Sequence, residues 1–218
     1  MDYSQFFNMI PEAGLMAILV IVFLADLFLK GEKKHATLSM LTCALLVAQV
    51  VLCFNAQPAE TFAGLYTATA AAQVMKVILT AGAYIVVVMA QSWIEREDVL
   101  RKEGEFYELI ISTLLGMYMM ISSGHFLMFF LGLEMASVPM ACLVAFDKYK
   151  KISAEGAAKF ILTATFSSGV MLYGISFIYG ACGTLYFDDM AAKISASPLT
   201  IMGLVFFFSG LGFKISLV

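Results

Sequence analysis

Seven apolar runs alternate with short polar links along the 218-residue chain, at about 9–29, 36–54, 74–92, 107–122, 125–146, 157–180 and 199–218. Most match the roughly 17–25 residues a helix needs to cross the hydrocarbon core of a bilayer. A segment in lipid must satisfy its own backbone hydrogen bonds, so runs of this length predict α-helices. The longest links are 55–73, 93–106 and 181–198, and none is of low complexity. The pattern therefore predicts one all-α, polytopic membrane unit with seven transmembrane helices. Composition agrees. The chain is 61% hydrophobic and 13% charged, with a mean hydropathy of +0.91. Soluble domains lie near half apolar and a quarter charged.

The lysines and arginines give an orientation. Lys30, Lys33 and Lys34 follow the first run, Arg96, Arg101 and Lys102 the third, and Lys148, Lys150 and Lys151 the fifth. On the other side, the N-terminus and the links 55–73 and 122–125 have none, and 181–198 has only Lys193. Basic loops stay cytoplasmic, so the N-terminus is expected outside. The start MDYSQFF has no basic stretch, so the first run is not read as a cleaved signal peptide. The link 94–108 mixes charge signs and reads as a solvated cytoplasmic segment. Link 55–73 reads as a loop packed on the outer face. Cys43, Cys53, Cys142 and Cys182 have no ligand spacing. They read as small apolar residues, with a Cys53–Cys182 disulfide as an alternative. The chain stops inside its last run, which suggests a partial chain.

Ionisable residues at depth are the candidates for chemistry, because a charge at the centre of a lone membrane helix costs roughly 2.5–3.5 kcal/mol on insertion scales. Glu12 and Asp26 lie near the ends of the first run and Lys76 at the outer start of the third. All three read as end-of-helix residues reaching water. Glu134, in FLGLEMASVPM, is different. It lies roughly 13 Å into the fifth run at 1.5 Å per residue, near the midplane. Pro139 follows and removes a helix hydrogen bond, which predicts a kink. Lys214, in FFFSGLGFKISLV, comes after Ser209, Gly210 and Gly212. Those glycines permit a helix break, of the kind that lines ion sites in transporters. Lys159 lies one turn inside the sixth run, either snorkelling or functional. His125 opens the fifth run on the outer side, where a histidine can exchange protons near neutrality. A carboxylate can hold a buried lysine charged, whereas burial alone disfavours the charge. Such a pair is a switchable proton store. No haem ligand pair, metal cluster or phosphate loop is present.

The stretch GEFYELIISTLLGMYMMISSGHFLMFFLGLEMASVPMACLVAF (104–146) resembles the fourth and fifth helices of subunit N of respiratory complex I, the proton-translocating NADH:quinone oxidoreductase. SAEGAAKFILTATFSSGVMLYGISFIYGACGTLYF (153–187) is similar to its sixth helix. GLVFFFSGLGFKISLV (203–218) is similar to its seventh. Over 1–103 the likeness is one of topology. The resemblance implies a fourteen-helix antiporter-like fold with two inverted five-helix repeats, each containing one broken helix. Residues 1–103 would be three leading helices with a cytoplasmic linker. Residues 104–218 would be helices four to seven of the first repeat.

The resemblance also implies roles. Glu134, Lys159 and Lys214 would translocate protons, Glu134 and Lys214 as an ion pair whose opening gates uptake. Pro139, Gly210 and Gly212 would kink or break their helices. His125 departs from the acidic or amide residue common there and carries no shared role. No cofactor or metal is expected on this chain. NADH, FMN, iron–sulfur clusters and quinone would belong to other subunits. The expected partners are the other membrane-arm subunits and the lipid bilayer, with no nucleic acid, in a bacterial inner membrane. The same helix-five and helix-seven pattern occurs in sodium/proton antiporters and membrane hydrogenases, and these remain the alternatives. A retinal protein also has seven spans and a lysine in the last. The single tryptophan, Trp93, sits at a helix end and makes no aromatic cage for a polyene.

Overall fold

The computed structural model describes residues 3–29, 34–95, 102–147 and 150–215. Of the basic residues that set the expected orientation, Lys30, Lys33, Arg96, Arg101 and Lys148 lie outside the described residues. A 3₁₀ turn (Tyr3–Met9) leads into α1 (Ile10–Phe28), followed by α2 (Lys34–Asn55), a hairpin of β1 (Ala59–Thr61) and β2 (Tyr66–Ala68), and α3 (Ala70–Ile94). Then come α4 (Glu103–Ile121), α5 (Phe126–Val144), α6 (Lys151–Cys182), the short α7 (Phe187–Lys193) and α8 (Pro198–Lys214). The chain is thus mostly helical, and each expected apolar run falls on a helix. Among the described residues five segments are long and apolar enough to cross a membrane: Gln5–Phe28, α2, α3, α5 and α6. α8 is apolar but has 17 residues. α4 brings Glu103 and Glu105 into its first turn.

The helix ends follow local chemistry. Pro11 sits in the first turn of α1, where its missing N–H is not needed. Thr69 caps α3 by accepting from the Ala72 N–H at 3.1 Å. Ser197 caps α8 by accepting from the Thr200 N–H at 3.2 Å, just before Pro198. Both hydroxyls satisfy an N–H that the helix leaves without a partner. α6 ends at Gly183, whose φ of 70° is the left-handed value that stops helices.

Two links differ from the sequence expectation. The segment 55–73 holds an antiparallel hairpin, paired from Ala59↔Ala68 to Thr61↔Tyr66. The Gly124 N–H donates to Leu65 O at 2.9 Å, and the Thr67 N–H to Ser122 O at 2.8 Å. The hairpin is therefore sewn to the turn between α4 and α5. The 94–108 link is not solvated throughout, because α4 starts at Glu103. That carboxylate is buried and meets His35 Nδ1 of α2 at 2.6 Å. All four cysteines are free. Cys53 Sγ lies 3.0 Å from the Tyr118 hydroxyl rather than in a disulfide.

Buried side chains form two clusters. One joins α1 to α4 and includes Leu15, Val22, Leu46, Val87, Tyr107 and Ile111. The other joins α5, α6 and α8 through Phe126, Met171, Ile175, Ile178 and Phe207. In lipid, helices associate through close packing rather than a hydrophobic drive, which favours small residues at the contacts. A Cβ on Gly116 of α4 would lie 2.4 Å from Ala136 N of α5, and one on Gly174 of α6 2.4 Å from Phe207 N of α8.

The same use of glycine corrects the expected break. α8 runs through Gly210 and Gly212 without interruption and ends at Lys214, with Ile215 as its C-cap. Gly210 serves the contact with α6, since a Cβ there would lie 2.5 Å from Ser167 O. Pro139 lies inside α5, which is helical on both sides of it.

Candidate functional site

Glu134 sits mid-way along α5 and Lys214 is the last residue of α8. The α6–α8 contact and the packing of α5 on α6 bring the two side chains together. Lys214 Nζ pairs with Glu134 Oε1, with 7% of the lysine side chain and 30% of the glutamate side chain exposed. From α6, the Ser168 hydroxyl donates to the same Oε1 at 2.5 Å. Lys214 also donates to Ser137 Oγ at 3.4 Å. Ser137 stands three residues after Glu134, so both lie on one face of α5. Three helices thus converge on one carboxylate oxygen. The arrangement can hold an ammonium in an apolar setting and release it when the carboxylate is neutralised.

The other expected residues lie elsewhere. Lys159 pairs with Glu155 on its own helix at 2.5 Å, and both side chains are well exposed, at 73% and 65%. The structure does not bring it to Glu134. His125 caps α5, its Nδ1 accepting from the Leu127 N–H at 3.1 Å. Burial lowers its pKa below the ordinary value. Among the described residues no group of three or more His, Cys, Asp or Glu side chains is placed to hold a metal ion.

A second pair was misread from sequence. Lys76 and Glu12 do not reach water at helix ends. Lys76 Nζ meets Glu12 Oε1 at 2.5 Å, with side-chain exposures of 0% and 4%. The Tyr66 hydroxyl donates to Glu12 Oε2 at 2.9 Å, and the Ser122 hydroxyl lies 3.4 Å from Oε1. The ammonium sits 5.4 Å from the ring centres of both Tyr66 and Tyr118. Burial and the Glu12 charge push the Tyr66 phenol above its ordinary pKa. A signal for this pair was present. Glu12 and Lys76 carry opposite charge at similar depth from the same end of their runs.

Known proteins resemble this chain in sequence and in fold. Residues 123–218 match the family model described as NADH:quinone oxidoreductase/Mrp antiporter, TM. The chain is 54% identical to NADH-quinone oxidoreductase subunit N of Phocaeicola vulgatus over 218 residues, which is all of this chain and 46% of that protein. It is 33% identical to subunit N of Nitrosomonas europaea over 95% of this chain and 44% of that protein. Among solved structures, a chain of respiratory complex I from Thermus thermophilus shares the fold, with a TM-score of 0.76 and 24% identity over 94% of this chain and 43% of the other. A chain of the membrane-bound sulfane sulfur reductase, an archaeal respiratory membrane complex, does so with a TM-score of 0.72 and 19% identity, over 94% of this chain and 44% of the other. The chain spans about half the length of the curated relatives it matches. In sequence and in fold the chain is thus similar to NADH-quinone oxidoreductase subunit N, over just under half of that protein's length.

Proposed function

We propose that this chain is part of a proton-translocating membrane-arm subunit of an NADH:quinone oxidoreductase, and that Glu134 and Lys214 are its switch. The observation that carries the proposal is the pair itself, a carboxylate at the middle of α5 against an ammonium at the end of α8. With Glu134 ionised, the pair keeps Lys214 protonated. A proton arriving on Glu134 cancels the carboxylate charge. The buried ammonium then loses the partner that offset its desolvation and can pass its own proton on. Glu134 later returns its proton and recovers Lys214 in the charged form. One proton enters and one leaves, and no electron is carried by these residues.

In this reading the subunit sits in the bacterial inner membrane with its N-terminus outside and its basic loops cytoplasmic. Residues 1–103 are three leading transmembrane helices with a cytoplasmic linker, and 104–218 are helices four to seven of the first of two inverted repeats in a fourteen-helix fold. Lys159, about two turns into α6, would serve as a further proton stop near the cytoplasmic entry. Other membrane-arm subunits are the partners. NADH, FMN, iron–sulfur clusters and quinone belong to other subunits. The test is proton transfer per electron in membrane vesicles carrying the whole complex with Glu134→Gln or Lys214→Ala. Loss of transfer with normal subunit composition is expected. Full transfer in both variants would overturn the proposal.

The family description also includes Mrp antiporters, so a sodium/proton antiporter is the second reading. Sodium-dependent proton exchange without a redox partner would favour it.

A further inference from the structure

A cavity of about 240 Å³ lies beside Lys214, between α5, α6 and α8, with Ser137, Thr163, Ser167, Leu133 and Phe213 in its wall. Its hydroxyls share one property. The Ser137 hydrogen goes to Leu133 O at 2.7 Å. The Thr163 hydrogen goes to Lys159 O at 2.8 Å or Phe160 O at 3.0 Å. The Ser167 hydrogen goes to Ala164 O at 2.8 Å. A hydroxyl has one hydrogen and two lone pairs. With each hydrogen committed to its own helix backbone, the three side chains have lone pairs left to offer the cavity. The hydroxyls of the wall therefore accept and do not donate.

A lysine ammonium is the opposite, with three donors and no acceptor. Lys214 is itself in the wall of this cavity, and Ser137 is both a wall residue and a contact of the ammonium in its present position. The lysine stem is flexible, so the ammonium can turn about Ser137 without moving α8. Ser167 is 2% exposed and deep, whereas Thr163 is exposed and stands at the mouth. The space sets these hydroxyls in an otherwise apolar wall and is large enough for water beside the ammonium. Glu134 is the charged group that α5 sets against Lys214. α6 faces the pair with Ser168, while its Lys159 and Glu155 pair with each other on the exposed flank.

We infer that this cavity is the receiving site for the Lys214 ammonium once Glu134 is neutralised, with Ser137, Ser167 and Thr163 as positioning residues that accept its hydrogens. The inference rests on the switch proposed above and adds the direction of movement, away from Glu134 and toward the turn of α6 that carries Lys159. The hydroxyls hold the ammonium apart from the neutralised Glu134 while its proton leaves.

The experiment uses the whole complex in vesicles with Ser167→Ala and Thr163→Val, compared with Ser167→Thr and Thr163→Ser. Each acceptor loss is expected to lower proton transfer per electron roughly fivefold, the equilibrium weight of one hydrogen bond. It should also move the pH profile of transfer to lower pH, because a less well held ammonium loses its proton sooner. The hydroxyl-retaining variants should restore both. A packing role alone would lower activity without moving the pH profile and would overturn the inference. If Ser167→Ala reduces the amount of folded complex, Thr163→Val at the exposed mouth decides. Wild-type rate and pH profile in Thr163→Val, with transfer lost in Lys214→Ala, would overturn the inference and leave the Glu134–Lys214 switch standing. Full transfer in Lys214→Ala would instead remove the switch and this inference together.

Discussion

Glu12–Lys76 and Glu134–Lys214 join the same two residue types across apolar helices, and they differ in what else touches them. Glu12 takes Lys76 and Ser122 on one oxygen and Tyr66 on the other, from three separate elements. Lys76 is enclosed by two tyrosine rings. At Glu134, Lys214 and Ser168 both converge on Oε1, the glutamate side chain is 30% exposed, and an acceptor-lined cavity opens beside the lysine. A fully buried charge pair held from several elements at once has nowhere to go. A pair whose lysine has a second set of acceptors close by can come apart. The first pair ties α1, α3 and the hairpin to the end of α4. The second is the one proposed to open.

The strongest way to break this comparison is to unpair the first site. Lys76→Met leaves a buried carboxylate without its cation, which costs about 3–5 kcal/mol when one partner of a buried pair is removed. The expected outcome is a steep loss of folded protein, read as yield and apparent Tm in detergent. Glu12→Leu with Lys76→Met should recover most of it, because an apolar replacement of both partners leaves no buried charge. Glu134→Gln should keep yield and Tm near wild type while transport fails. Equal damage to folding from both single changes would erase the distinction.

A smaller step loosens the tied pair. Tyr66→Phe keeps the ring beside the ammonium and removes one donor from Glu12. Hydrogen bonds to charged groups are worth about 1.5–3 kcal/mol, so Tm should fall, but less than in Lys76→Met. An unchanged Tm would mean that the rings, not the hydroxyl, hold the site.

The contrast also explains what could be seen in the sequence. Helix positions followed from apolar runs, since lipid leaves the backbone few other options. Glu134 stood out because it lies mid-run. Lys214 was visible as a lysine deep in a run, but its pairing with Glu134 came from family likeness. Glu12 and Lys76 were read as end-of-helix residues because depth alone does not show what covers an end. The cover is Tyr66, delivered by a hairpin whose turn holds Phe62, Ala63 and Gly64 at positive φ. Two of those three are not glycine, so composition gave little sign of it. Gly210 and Gly212 suggested a broken backbone, whereas Gly210 is occupied with close packing on α6. A glycine in a membrane helix carries both meanings, and only the neighbouring helix decides between them.

At the second site, Ser168→Ala removes the donor that shares Oε1 with Lys214. Hydrogen bonds between membrane helices average about 0.6 kcal/mol, so Tm should barely move. Transport should change more than stability, and Ser168→Thr should restore it. A Tm loss as large as that of Tyr66→Phe would place Ser168 with the tied pair rather than the movable one.

The smallest effect is expected at His125, which lies between the two sites at the start of α5. Its Nδ1 must be unprotonated to accept from the Leu127 N–H. Burial lowers its pKa from the ordinary value near 6.5, so the unfolded chain takes up the proton first as pH falls. The stability that the neutral ring contributes is therefore complete above about pH 6.5. It is lost as pH drops through the lower folded-state value. An N-cap is worth about 0.5–2 kcal/mol, and the lower end applies to a ring that is only partly buried. His125→Asn keeps a capping side chain that does not titrate. Apparent Tm measured from pH 8 to pH 5 should fall more in wild type than in His125→Asn, with the difference opening only below about pH 6.5. Parallel curves would show that the cap does not depend on the histidine's charge. The turn would then be held by its backbone bonds alone, from Phe126 N–H to Leu185 O and from Phe187 N–H to Gly124 O.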